Sequence, residues 1–415
     1  MINKEVDVVI VGGGPAGLSA AVSVKESGVD NILIIERNES LGGILNQCIH
    51  EGFGIEIFKE ALTGPEYMQK FIDEVKRLEI PYLLDSMVLD ISGDKKLLVS
   101  SREGLCEIQA KSIILSMGCR ERTRGQICIP GTRPSGIYTA GTAQYFINLG
   151  NYRIGKNIII LGSGDIGLIM ARRFTLEGAR VLAVVEILPY SSGLPRNIVQ
   201  CLDDFDIPLY LSHTVVNTYG DKKLEAVSIA EVNGNCKPVE GTMRRIDCDT
   251  LLLSVGLIPE NELSKKAGVV IDEVTGGAVV DEHLETNVEG IFACGNVLHV
   301  HDVVDYVTLE ARKAGESAAR YVEGKHIEYE MIKVKPGGGV RYVLPHLIST
   351  KRDVKLSLRV TKPGRNRVVK VRDGDEIIKE IPMLRVNPAE MIQFKLRGDD
   401  IRGCRELQIE VVEGE

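Results

Sequence analysis

V-V-I-V-G-G-G-P-A-G, residues 8–17, is a short apolar run that opens directly into glycines. A helix-like segment follows over residues 15–27, and a second apolar run, 31–35, ends at Glu36. The order is strand, tight turn, helix, strand, acid. Gly12 permits the turn, Gly14 lets the backbone approach a pyrophosphate, and Gly17 lets the helix lie close on the sheet. Pro15 and Ala16 begin the helix whose N-terminal amides face the phosphates. Glu36, 24 residues after Gly12, stands where a carboxylate accepts from a ribose 2'-hydroxyl. Such a glycine turn alone is weak evidence. With the strand before it and the acid after it, the stretch predicts a bound dinucleotide.

The arrangement recurs. Residues 157–161 form an apolar strand, G-S-G-D-I-G occupies 162–167, a helix follows, and the strand over 180–185 ends at Glu186. Gly162, Gly164, Asp165, Ile166 and Gly167 are the candidate phosphate-side residues of this second unit. The acid again lies 24 residues after the first glycine. A carboxylate repels a 2'-phosphate, so Glu186 favours NAD over NADP. Ile187 and Leu188 supply no arginine to reverse that preference; Arg180 and Arg196 are close enough in sequence to modify it.

Between and beyond these units lie further candidates. Leu41-Gly42-Gly43 is a turn closely following the first acid, suited to run beneath a long cofactor. Cys48, His50 and Glu51 come next and are the candidates for chemistry at the cofactor; Cys48 and His50 read equally well as packing residues. The strand over 111–118 ends at Gly118, and the one over 250–258 carries Gly256, each marking a close backbone approach. A-C-G-N at 293–296 ends a strand at Gly295, and Asn296 is placed to bond a sugar chain. A helix is expected from about Asp302 to 322, its N-terminal amides facing negative charge on a reduced ring. No H-x-x-x-H or cysteine set supports a metal site from His299, His301, His50 and a carboxylate, and none is expected. After Gly324 the texture changes to period-2 runs broken by Gly, Pro, Asn and Asp, which predict about six antiparallel strands. This segment is locally basic, either a solvated sheet face or a docking surface for an acidic partner.

The formal net charge of -8 gives no support for a nucleic-acid surface. No apolar run approaches the roughly 18 residues of a membrane span, and no charged leader precedes the first strand. The nine cysteines include no C-x-x-C, which fits a reducing cytoplasm better than a disulfide framework.

Gly12, Gly14 and Gly17 with Glu36, the Gly42-Gly43 loop, Gly118, the second glycine set with Glu186, G-L-I-P-E-N-E-L at 256–263 and A-C-G-N at 293–296 together resemble the two-dinucleotide-binding-domain flavoprotein reductases. That is the glutathione-reductase-like and thioredoxin-reductase-like group. The resemblance implies an α/β fold with two Rossmann-like three-layer domains, the second inserted in the first. The C-terminal segment adds a small all-β domain. Carried over, the FAD domain is 1–110 plus 245–328, the crossing 111–149, the NAD domain 150–244, and the β-sandwich or barrel 331–415. The FAD set is then Gly12, Gly14, Pro15, Ala16, Gly17, Glu36, Arg37, Gly42, Gly43, Val88, Gly118, Gly295, Asn296, His301 and Asp302. The NAD set is the second glycine unit with Glu186 and Gly256. Two departures matter: the paired cysteines of disulfide reductases are missing, and Asn296 replaces the usual aspartate.

N-Q-C-I-H-E-G-F-G (46–54), M-G-C-R-E-R-T-R-G (117–125) and Y-S-S-G-L-P-R-N (190–197) are similar to the FAD/NAD oxidoreductase subunit encoded beside glycerol-3-phosphate dehydrogenase-like flavoproteins. The chain resembles more distantly subunits of dye-linked proline dehydrogenase, opine oxidase and hydrogen cyanide synthase. This implies a hetero-oligomer with a second flavoprotein dehydrogenase and a small iron–sulfur protein. Any membrane contact is expected only through those partners. The expected activity is electron transfer between NAD(H) and bound FAD, and on to or from the partner. The alternatives are direct amine or amino-acid oxidation at this flavin, and a non-catalytic electron-transfer or scaffold subunit.

Overall fold

A computed structural model describes residues 3–325 and 330–414. It divides into two compact units, one of 1–119 with 259–415 and one of 120–258. The first unit is built on a seven-stranded sheet. Asn3–Val11 lies at its centre, parallel to Ile32–Ile35 on one side and to residues 107–115 of strand Gly104–Leu115 on the other. Ile291–Ala293 returns from far along the chain to pair in parallel with Ile113–Leu115. The first half of Gly104–Leu115 pairs antiparallel with Lys96–Ser101. That long strand therefore joins a parallel sheet to a meander. The expected boundary at 110 falls inside it, and the compact unit runs on to 119.

Helices Pro15–Glu26 and Val304–Val322 pack against each other on this sheet. Their contact is close because small residues line it. A Cβ on Gly315 would lie 2.5 Å from the Ala20 carbonyl oxygen. Ser19 and Ser23 donate across the seam to the carbonyls of Thr308 and Arg312 at 3.1 and 2.8 Å. The second helix starts at Val304, not Asp302. Asp302 is drawn away to Arg359 at 3.2 Å.

The second unit carries a five-stranded parallel sheet, ordered Ile137–Thr139, Thr250–Leu253, Asn157–Leu161, Arg180–Val185, Leu209–Tyr210. Helices Ala140–Asn148 and Asp165–Leu176 accompany it. A three-stranded antiparallel sheet, His213–Tyr219, Ala226–Glu231 and Arg244–Asp247, completes the unit.

The C-terminal region is all β, with two corrections to its expected form. It has eight strands, in sheets of five and three, instead of about six. Leu347–Ser349 and Ile392–Leu396 are too short to show a period. Its first strand, Met331–Pro336, pairs in parallel with its last, Glu406–Glu413. Val354, Leu356, Leu358 and Val360 face one core by strict alternation. Strand Val340–Leu344 serves two cores: Val340 and Val343 enter the β core, while Tyr342 and Leu344 enter that of the first sheet. An irregular register between Val340 and Tyr342 lets it do so. Much of the basic character is met by cross-strand pairs, such as Arg372–Glu410 at 2.6 Å and Lys370–Glu380 at 2.9 Å. Residues 326–328, the end of the expected FAD domain, and Glu415 lie outside the described residues.

Candidate functional site

The turn after the first strand has the backbone that its glycines allow. Gly12 adopts φ +109°, and a Cβ there would lie 2.6 Å from the Ser116 carbonyl oxygen. A Cβ on Gly17 would sit 1.8 Å from the Gly12 oxygen. Gly14 differs, since its nearest neighbour is the Gly43 Cα at 3.9 Å, so its face is open. Gly14 is also the N-cap of helix Pro15–Glu26, and no side chain caps it. Helix-terminal amides without a side-chain cap are suited to hold an anion.

Glu36 is buried beside this turn. Its Oε2 accepts from the Gly13 amide at 2.7 Å and its Oε1 from the Asn38 amide at 2.8 Å. The Gly42 amide donates to the Gly13 carbonyl at 2.8 Å, docking the second glycine loop on the first turn. Gly42 and Gly43 have φ of +113° and +58°. Gly118, at φ +72°, has no neighbour within 4 Å of its Cβ direction. Arg37 is exposed at the end of the second strand, and Val88 is buried in strand Met87–Ile91.

Beside the same turn, Gly295 brings its own turn against the helix start, where a Cβ would meet Ala16 at 2.8 Å. The Gly295 amide donates to Glu310 Oε1 at 2.7 Å. Asn296 Oδ1 accepts from the His301 amide at 3.0 Å, and its Nδ2 reaches Cys119 Sγ at 3.7 Å. The His301 side chain is 2 % exposed, and its Nδ1 is a buried atom without a hydrogen-bond partner. Buried imidazole nitrogens are ordinarily satisfied. An open face at Gly14, another at Gly118 and this orphaned nitrogen fit a long cofactor carrying both phosphate and hydroxyl groups.

The candidates at 48–51 separate. Cys48 is 9 % exposed and donates to the Ile44 carbonyl at 3.4 Å. Burial pushes its thiol up to about 12, so it is protonated at neutral pH. The His50 ring packs against Phe53, with centroids 4.9 Å apart, and Glu51 is exposed. The loop beyond them is held by Asp305, which accepts from the Gly54 and Ile57 amides at 3.1 and 3.0 Å. Cys48→Ala is expected to keep NADH-driven flavin reduction within about twofold, and the wild-type thiol to resist iodoacetamide at neutral pH. Rapid alkylation at Cys48, read by mass spectrometry, would show a reactive thiolate instead.

In the second unit Gly162 adopts φ +98°, and a Cβ there would lie 2.0 Å from the Ser254 oxygen. At Gly167 the closest approach is 2.8 Å, to the Gly162 oxygen, whereas Gly164 has nothing nearer than 3.5 Å. Glu186 is 4 % exposed; its Oε2 accepts from the Ser163 amide and hydroxyl at 2.9 and 2.5 Å and from the Ser192 hydroxyl at 3.0 Å. Asp165 Oδ1 accepts from the Leu194 amide and Asn197 Nδ2 at 2.8 and 2.6 Å, so it holds the 190–197 loop. Ile166 follows it in the first turn of helix Asp165–Leu176. Gly256, at φ +99°, accepts from the Arg122 amide.

Glu310 is a residue that sequence reasoning missed. Its Oε2 meets His299 Nε2 at 2.8 Å and His301 Nε2 at 3.4 Å. Burial raises the Glu310 carboxyl, but the two histidines outweigh that and hold it low, and burial with the neighbouring His301 pushes His299 down to about 4. The available signal was helical spacing: Glu310 lies three residues after Val307 and four before Ala314, both buried.

Two strand–turn–helix–strand–acid units on separate sheets define a protein with two dinucleotide-binding domains. The chain belongs to the pyridine nucleotide-disulphide oxidoreductase family, whose model matches residues 6–327. As a member of that family it binds FAD and NAD(H). It is 26% identical over 284 residues to the hydrogen cyanide synthase subunit HcnB of Pseudomonas protegens, covering 63% of this chain and 58% of that one. The chain thus spans under three-fifths of that relative's length. It is 25% identical over 326 residues to the thioredoxin reductase of Listeria innocua, covering 77% and 95%. The crystal structure of T. acidophilum thioredoxin reductase shares the fold, with a TM-score of 0.64 and 24% identity over 78% of this chain and all of that one. Among the described residues no helix is long and apolar enough to cross a membrane.

Proposed function

We propose that this chain is the FAD-carrying, NAD(H)-linked subunit of a metabolite dehydrogenase complex of the glycerol-3-phosphate dehydrogenase-like kind. It exchanges electrons with a second flavoprotein dehydrogenase through a small iron–sulfur protein. The cysteine pattern carries the reading. The chain has no C-x-x-C, and burial keeps the Cys48 thiol protonated. A dithiol cycle therefore lacks its nucleophile there, and electrons leave the flavin by another route. The Pseudomonas protegens relative is by name a subunit of a synthase, which supports the multi-subunit reading.

When bound, FAD supplies hydride exchange at its N5 with the nicotinamide C4. The chain's residues position the two nucleotides. Gly12, Gly14, Gly17, Gly42 and Gly43 shape the FAD phosphate cradle, and Glu36 holds the adenosine ribose. Gly118, Gly295, Asn296 and His301 face the remainder. Gly162, Gly164 and Gly167 with Glu186 hold NAD(H). The edge strand Glu376–Val386 of the β region, with Leu384 84 % exposed, is the surface offered to the partner subunit.

Anaerobic titration with NADH is expected to bleach the flavin absorbance at about one equivalent, with NADPH less effective. Copurification with an iron–sulfur protein and a second flavoprotein is expected from the native host. Bleaching by an amine alone, with none by NADH, would sink the proposal.

A further inference from the structure

His299 and His301 precede helix Val304–Val322, and Glu310 lies on its second turn. One ligand atom from each lies within 4.8 Å of the others. The two imidazole Nε2 atoms approach the same carboxylate oxygen, at 2.8 and 3.4 Å. Four-coordinate zinc, with bonds of about 2.0–2.1 Å, sets its ligand atoms about 3.3–3.4 Å apart along the tetrahedral edge. The two imidazole–carboxylate separations, 2.8 and 3.4 Å, lie close to that edge. The His299 and His301 side chains are 1 % and 2 % exposed, and that of Glu310 is 15 % exposed.

Two of the three ligands have their outer groups in place, those of His299 and Glu310. His299 Nδ1 lies 3.4 Å from the Tyr342 hydroxyl, which also accepts from Arg359 Nε at 3.2 Å. Glu310 Oε1 is fixed by the Gly295 amide at 2.7 Å. Outer partners of this kind orient metal ligands and hold a histidine ring in one tautomer. The Arg359 guanidinium is itself paired with Asp302, which offsets its charge near the site. Two imidazoles and a carboxylate form a borderline nitrogen–oxygen set, the class that zinc takes with a fourth position open.

We propose that His299, His301 and Glu310 bind one zinc-class divalent cation, which ties the 299–302 segment to helix Val304–Val322. The cation is redox-inert and leaves the flavin's electrons undisturbed. Through Glu310 and the Gly295 amide it fixes the turn that carries Asn296. This inference is independent of the electron partner: the cation takes His301 through Nε2, and the Nδ1 of the same ring is the atom left to face the FAD cradle.

The test uses the full flavin-loaded chain, stripped with a chelator and dialysed against Zn²⁺ alone. Elemental analysis is expected to find about one zinc per chain. His299→Asn and Glu310→Gln are each expected to weaken uptake by at least about tenfold, with an unchanged circular dichroism spectrum reporting that the fold is kept. Co²⁺ uptake by the unmutated chain is a second measurement that needs no variant. Intense visible bands of four-coordinate cobalt beyond the flavin absorption support the site; weak six-coordinate bands overturn it. Failure of the unmutated chain to take up zinc, or equal uptake by the folded variants, would equally overturn it.

Discussion

Gly17→Ala is expected to leave a chain that neither packs its first unit nor holds flavin. The added Cβ would stand 1.8 Å from the Gly12 carbonyl oxygen and 2.9 Å from the Gly12 carbonyl carbon. Both belong to the backbone of the turn, which cannot swing aside as a flexible side chain can. The helix must therefore lift from the sheet. Gly14→Ala makes the comparison informative. Its φ of -83° suits alanine, and nothing lies within 3.9 Å of the new methyl. That variant is expected to fold with an unchanged circular dichroism spectrum, yet bind FAD about tenfold or more weakly, because the methyl occupies the pyrophosphate approach. Full flavin content in folded Gly14→Ala would remove Gly14 from the phosphate role; native flavin content in Gly17→Ala would refute the packing argument.

Glu186→Ala should reduce kcat/KM for NADH by about ten- to a hundredfold, the worth of a hydrogen bond to a charged group at roughly 1.5–3 kcal/mol. NADPH, which gains nothing from the carboxylate, should lose less, so the preference narrows. The same carboxylate also holds Ser163, Ser192 and the Leu188 amide. Alanine leaves those donors without it, and some of the effect will appear as lost stability. Glu186→Gln separates the contributions, since the amide keeps an acceptor oxygen for the loop while losing the charge that discriminates against the 2'-phosphate. Stopped-flow flavin reduction with each nucleotide is the measurement. An unchanged NADH to NADPH ratio in both variants would take Glu186 out of ribose recognition.

The parts of the molecule legible in its sequence are those whose physics is local. Gly12, Gly42 and Gly162 announce themselves because few other residues adopt their positive φ. Glu36 and Glu186 follow at a separation fixed by one helix and one strand. The cluster of His299, His301 and Glu310 is not local in that sense. Its geometry appears only when a helix face closes over the preceding loop, and the Tyr342 hydroxyl arrives from the β region. Likewise, alternation at Met331–Pro336 reveals a strand but not its neighbour, because the same period serves parallel and antiparallel pairing. Asp302 was misread as a helix start because its ion pair with Arg359 involves a residue 57 positions away.

The parallel pairing of Met331–Pro336 with Glu406–Glu413 has a consequence for biosynthesis. Glu406–Glu413 sits at the middle of its five-stranded sheet, between Met331–Pro336 and Gly364–Asp373. While the chain is being synthesised, those two flanking strands exist without the one that joins them. The pairs on either side, Met331–Pro336 with Leu347–Ser349 and Gly364–Asp373 with Glu376–Val386, are joined only when the last of the sheet's strands is released. A truncation there would remove the keystone of the region instead of trimming its edge.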